Sequence, residues 1–170
     1  MRIFKEEQRF TQVWLIVILS MSLLTSLGIM YSEYTKENTT MSSNEFIYTS
    51  LVLAICILPI FFFKLKTKID EIGIHYQFFP FHLSYRTFKW NEIKFARIRT
   101  YDAISEFGGW GLKGGFFWKK SKGVAYNVSG GIGIQLEFID GKKVLIGTQK
   151  QKDASAVLTN YENKILTDEI

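Results

Sequence analysis

VWLIVILSMSLLTSLGIMY, residues 13–31, runs for 19 residues without a charge. As a helix rising about 1.5 Å per residue it covers roughly 28 Å, close to the hydrocarbon thickness of a bilayer. FIYTSLVLAICILPIFFF, residues 46–63, adds 18 uncharged residues and about 27 Å by the same rule. Pro59 falls near the end of this second run, where a membrane helix tolerates a kink. Trp14, Tyr31, Phe46 and Tyr48 stand at the ends of the two runs, where an interfacial aromatic belt is expected. The first run has too long an apolar core for a cleaved leader, and no small-residue cleavage site follows it. As buried core helices the two runs would need a much larger protein than 170 residues. The reading is a transmembrane hairpin.

Orientation follows from the lysine and arginine bias of the flanks. Arg2, Lys5 and Arg9 precede the first run, and Lys64, Lys66 and Lys68 follow the second. The connection between them holds only Lys36 against three glutamates. Both termini are therefore expected in the cytoplasm, in a multi-pass protein of the cell (inner) membrane. Residues 1–12 form a cytoplasmic flank, 32–45 an external loop, and 64–170 a cytoplasmic domain.

That domain is basic, carrying 17 of the 21 Lys and Arg against 11 acidic residues. Such a charge suits nucleic acid, an anionic membrane surface or simple solvation. A tether beside a bilayer favours membrane lipids over nucleic acid. Cys56, the only cysteine, lies inside an apolar run, so no disulfide can form within the chain. The sequons at Asn38 and Asn127 matter only in a eukaryotic secretory setting.

Beyond Lys68 the pattern becomes period-two alternation rich in aromatic and β-branched residues, which signals strands. Ile72, Ile74, Tyr76 and Phe78 share one face, and Ile132, Ile134, Leu136 and Phe138 share another. Further strands are expected over 82–89 and 93–101. Asp140-Gly141 signals a tight hairpin returning through 144–147. Ala154, Val157, Leu158, Tyr161 and Ile165 then follow helical spacing, and Thr148 with Gln151 fits a capping box. Because each element supplies one apolar face, residues 67–170 are expected to fold without the membrane segments.

The order of six or seven antiparallel strands and one amphipathic helix resembles the bacterial pleckstrin-homology-like domains found behind membrane hairpins. The resemblance runs from about Thr67 to Leu166, some three-fifths of the chain. It rests on IDEIGIHYQFFPF, on FKWNEIKFARIRTY, and on GGWG followed by AYNVSGGIGIQLEFIDGKKVLIGTQ. It implies a bent barrel or sandwich of about seven antiparallel strands, with the helix plugging one open end. It implies no catalytic residue. Eukaryotic relatives often bind phosphoinositides through a basic loop between the first strands. Residues 77–85 here contain no Lys or Arg, so that site does not carry over.

Gly109-Trp110-Gly111-Leu112-Lys113-Gly114 matches G-x-G-x-x-G literally, but no helix opens at these glycines as a dinucleotide fold requires. No cofactor is expected. With five glycines among residues 108–115, the segment reads as an exposed loop in which Gly109, Trp110, Gly111 and Lys113 contact a protein partner. Lys119, Lys120 and Lys122 beside Phe116, Phe117 and Trp118 suit an anionic bilayer; equally, they describe a solvated hairpin tip. His75 and His82 make no metal set and have no evident Ser or Cys partner. Arg97 and Arg99 share a face with Ile93 and Phe95, facing either solvent or Asp102 and Glu106. With no acid–base or nucleophile pairing, no enzyme and no small-molecule substrate are expected. The expected function is a membrane-anchored scaffold for protein partners or a homo-oligomer, or alternatively a lipid-headgroup sensor.

Overall fold

A computed structural model describes residues 3–114 and 123–165. The chain divides into two compact units, Phe10–Phe63 and the remainder, Met1–Arg9 with Lys64–Ile170.

The first unit is a helical pair. α1 spans Val13–Tyr34, and α2 spans Ser43–Ile57 and continues as a 3-10 turn over Leu58–Phe62. Both helices are long and apolar enough to cross a membrane. Neither buries a residue within the protein, so the apolar surface needs lipid or other protein to cover it. The polar connection is shorter than expected. Ser42 accepts from the Glu45 N–H while the Glu45 carboxylate accepts from the Ser42 N–H, a capping box that starts α2 early. Tyr34 stacks on Phe46 at 5.0 Å and its hydroxyl meets Ser43 Oγ at 3.0 Å, which closes the turn.

The second unit is mainly β, with two sheets. Within the expected N-terminal flank, residues 1–12, Phe4–Arg9 forms a strand, β1. It pairs antiparallel with β2, Lys64–Ile69, in a register that sets Arg9 opposite Lys64. The helical pair is thus inserted between two strands that are ladder neighbours. β3, Gly73–Phe79, and β4, Arg86–Lys89, complete a four-stranded antiparallel sheet in sequence order. Gly73 permits the tight β3–β4 approach, since a Cβ there would lie 2.0 Å from the Phe88 carbonyl oxygen.

The second sheet holds β5 Ile93–Thr100, β6 Gly111–Lys113, β7 Val124–Asn127, β8 Ile132–Phe138 and β9 Lys143–Gly147. Their order is β5-β8-β9-β7-β6. The expected all-antiparallel arrangement fails at one place. β9 enters between β8 and β7, which run oppositely, so it meets β8 antiparallel and β7 parallel. Nine strands replace the expected seven among the described residues, and the sheets stay separate without closing a barrel. They meet through aromatic contacts: Tyr76 on Tyr126 at 4.5 Å, Phe88 on Phe138 at 4.8 Å.

α4, Gln151–Asn160, packs across β5, β1 and β8. Ala154, Val157, Leu158 and Tyr161 are all buried, as the helical spacing implies, and Tyr161 stacks on Trp90 at 5.4 Å. The expected capping box does not form. The Thr148 hydroxyl instead donates to Glu6 at 2.7 Å, and Lys150 is the cap residue.

Candidate functional site

The glycine-rich segment is built into the fold. Asp102 caps α3, Ala103–Phe107, by accepting from the N–H groups of Ile104 and Ser105. Gly108 ends it at φ 74, a left-handed conformation suited to glycine. Gly108 and Gly109 return their N–H groups to the carbonyls of Ile104 and Ala103. Gly111 opens β6 opposite Asn127 and donates its N–H to Asn127 Oδ1 at 2.8 Å. Trp110 is half-buried against the cluster of Tyr101, Ala103, Phe107, Ala125 and Leu145, and its indole N–H donates to Gly130 O at 3.0 Å. Lys113 is half-exposed at the end of β6. The segment expected to be an exposed contact loop runs as a helix cap followed by a strand at the edge of the sheet among the described residues. Phe116, Phe117, Trp118, Lys119, Lys120 and Lys122 lie outside the described residues.

Strand register gives His75 the partners that sequence spacing conceals. Directly opposite it across β4 is Thr87, whose hydroxyl meets His75 Nδ1 at 2.8 Å. His75 Nε2 meets Asp70 Oδ1 at 2.8 Å, and Lys68 reaches the other Asp70 oxygen at 2.7 Å. The order hydroxyl–imidazole–carboxylate is one that nucleophilic catalysis employs. Here, however, the Thr87–His75 bond joins two facing residues of one ladder, an ordinary cross-strand pair.

Burial pushes the Asp70 carboxyl up, but hydrogen bonds from Lys68, His75 and the Ile72 N–H outweigh it and hold the group well below its usual 3.8. A carboxyl lowered on folding stabilises above its unfolded pKa and loses that contribution as pH falls through the folded value. Asp70→Asn is expected to cost about 1–2 kcal/mol near neutrality. The gap from wild type should close as pH falls below 3.8. Melting temperatures taken across that range would show it, and a gap that stays constant would contradict the assignment.

Glu6 and Gln8 face inward from β1, against the usual alternation of apolar residues inward. The Glu6 carboxylate accepts from the Thr148 hydroxyl at 2.7 Å and the Gln149 N–H at 2.8 Å. Gln8 Nε2 donates to the Gly147 carbonyl at 2.7 Å. These buried bonds tie β1 to the junction of β9 and α4.

Arg99 forms the pair left open by the sequence, meeting Glu106 at 2.8 and 3.1 Å. Arg97 lies over the Phe95 ring. A register shift between Ile93 and Phe95 turns Phe95 outward while Ile93 stays buried, so those two do not share a face.

One groove is lined mainly by apolar groups. Phe88, Phe138, Ile139 and Val144, together with the polar Asn91, Glu92, Asp140 and Lys142, line about 590 Å³. It runs beside β4, which has no second ladder neighbour among the described residues and whose Lys89 N–H donates to the Glu92 carboxylate at 3.2 Å. Among the described residues no group of three or more His, Cys, Asp and Glu is placed to hold a metal. No family model, curated protein or solved structure matches the chain.

Proposed function

We propose that the chain is a membrane-anchored, non-enzymatic module that holds a protein segment, from a partner or a second copy, at the cytoplasmic face of the cell membrane. The groove between β4 and the β8–β9 hairpin carries this reading. Its walls offer apolar side chains, and the adjacent open edge offers backbone hydrogen bonds, the combination by which a sheet accepts an added strand. The lysine and arginine flanks support the orientation. The pairing of Arg9 with Lys64 also supports it, because the residues just before and just after 10–63 are ladder partners and so lie on one side of the membrane. A mainly-β region followed by a terminal helix supports the pleckstrin-homology-like resemblance, while the two separate sheets and the parallel β7–β9 pair depart from it.

A photo-crosslinker at Ile139, exposed at the groove, should give a discrete adduct in native membranes. The same group at Ile104, exposed on α3, should give none. An adduct of twice the chain mass identifies self-association and another defined mass a partner; no adduct at Ile139 would remove the reading. A C-terminal reporter that works only outside the cytoplasm should stay silent, and an active one would reverse the topology.

A further inference from the structure

Lys5 and Arg9 project from the solvent side of β1, and Lys64, Lys66 and Lys68 from the same side of β2. Register sets Lys5 directly opposite Lys68 and Arg9 opposite Lys64. Like charges facing each other across a ladder destabilise it. Among the described residues, Glu7, near Arg9 and Lys66, and Asp70, on Lys68, are the carboxylates that pair with these five cations. An anionic surface over this face would relieve the repulsion.

The same register places Phe79 opposite Lys64. The β3–β4 loop therefore grows from the sheet end where β1 hands the chain to residues 10–63 and β2 takes it back. This loop is apolar outside and anchored inside. Phe81, Leu83 and Tyr85 are 56, 81 and 49% exposed, and Phe79 is 37% exposed. His82 fills the inward position, edge-on to Tyr76 at 5.4 Å, with its N–H donating to Phe78 O at 2.8 Å. Burial, with Arg86 nearby, holds the His82 imidazole below its ordinary pKa, which suits Nδ1 accepting from the Phe78 N–H. Gln77 Nε2 donates to the carbonyls of His82 and Leu83. This scaffolding keeps the leucine and aromatic rings outward, where water is a poor solvent for them.

We infer that residues 79–85 insert into the interfacial layer of an anionic bilayer, with Arg9, Lys64 and Lys66 resting on its headgroups. Apolar tip and basic collar match the layering of such a surface. The inference rests on the anchored reading above and adds a lipid contact distinct from residues 116–122.

The test uses the full chain with Cys56→Ser and a single dye-labelled cysteine at Leu83 or at Ile72. Ile72, 62% exposed, is a solvent-facing apolar control in the β2–β3 turn, at the opposite sheet end. Vesicles contain phosphatidylglycerol, phosphatidylcholine and a spin-labelled quencher lipid. Release by a carbonate wash would end the anchored reading itself. In retained protein the Leu83 label should shift to the blue and lose its emission to the quencher, while the Ile72 label stays water-like. The quenching should weaken in phosphatidylcholine alone, and when Arg9, Lys64 and Lys66 become Gln. Retained protein with an unquenched Leu83 label overturns the inference, as does equal quenching at both sites. A blue shift without lipid quenching assigns the loop to a protein contact and also overturns it. Quenching that ignores lipid charge and the Gln changes overturns the headgroup contact.

Discussion

Phe78→Ala is expected to cost about 3–5 kcal/mol, the range for emptying a large aromatic site in a packed core. Phe78 is fully buried on β3, stacked on Phe81 at 5.9 Å and tilted against Tyr126 of the other sheet at 6.4 Å. Its neighbours belong to two sheets and a loop, so they cannot close over the void by shifting one element. The backbone bonds that Phe78 exchanges with His82 survive the change, which confines the loss to packing. In a domain of this size the melting temperature should fall by more than about 10 °C. Near-UV circular dichroism of the detergent-solubilised chain would record it. A fall of only a degree or two would mean that the two sheets do not pack through this residue.

Trp110→Ala carries the second large effect, about 2–3 kcal/mol, below the range for a fully buried Trp because one side of the ring meets solvent. The indole packs against the cluster of Tyr101, Ala103, Phe107, Ala125 and Leu145 and ties itself to Gly130 through its N–H. Truncation leaves the Gly130 carbonyl open and uncovers the small cluster beneath α3. The same melting experiment distinguishes the roles of the ring. An unchanged melting temperature together with weakened self-association would make Trp110 a contact residue, as its surrounding glycines first suggest.

Much of the fold is legible where side chains obey a simple period. Ile74, Tyr76 and Phe78 are buried as alternation implies, and the Asp140-Gly141 turn joins β8 to β9. Ile72 breaks the pattern at 62% exposure, because Asp70 accepts the Ile72 N–H and draws that residue into the turn. β1 is the element that alternation misses. Its inward residues include Glu6 and Gln8, whose hydrogen bonds go to distant partners. Those partners stand some 140 positions away in sequence. The lysines of β2 were equally ambiguous, since the bias that orients a membrane helix also decorates the open face of a strand. His75, Thr87 and Asp70 come together only through register, which residue types alone do not specify. The apolar loop at 79–85 has no basic residue of its own, and its cations come from strands beside it.

Residues 10–63 are an insertion between two paired strands of the mainly-β unit. Arg9 and Lys64 face each other in the ladder, so a two-residue Asn-Gly turn is the natural replacement for everything between them. The decisive measurement is the urea unfolding of that shortened chain beside residues 64–170 alone, which lack β1. The expectation that the C-terminal part folds by itself is then directly at stake. The account predicts a soluble, β-rich shortened chain with one cooperative transition, and no cooperative transition for 64–170. An aggregated shortened chain, or a 64–170 fragment that unfolds just as cooperatively, would contradict it.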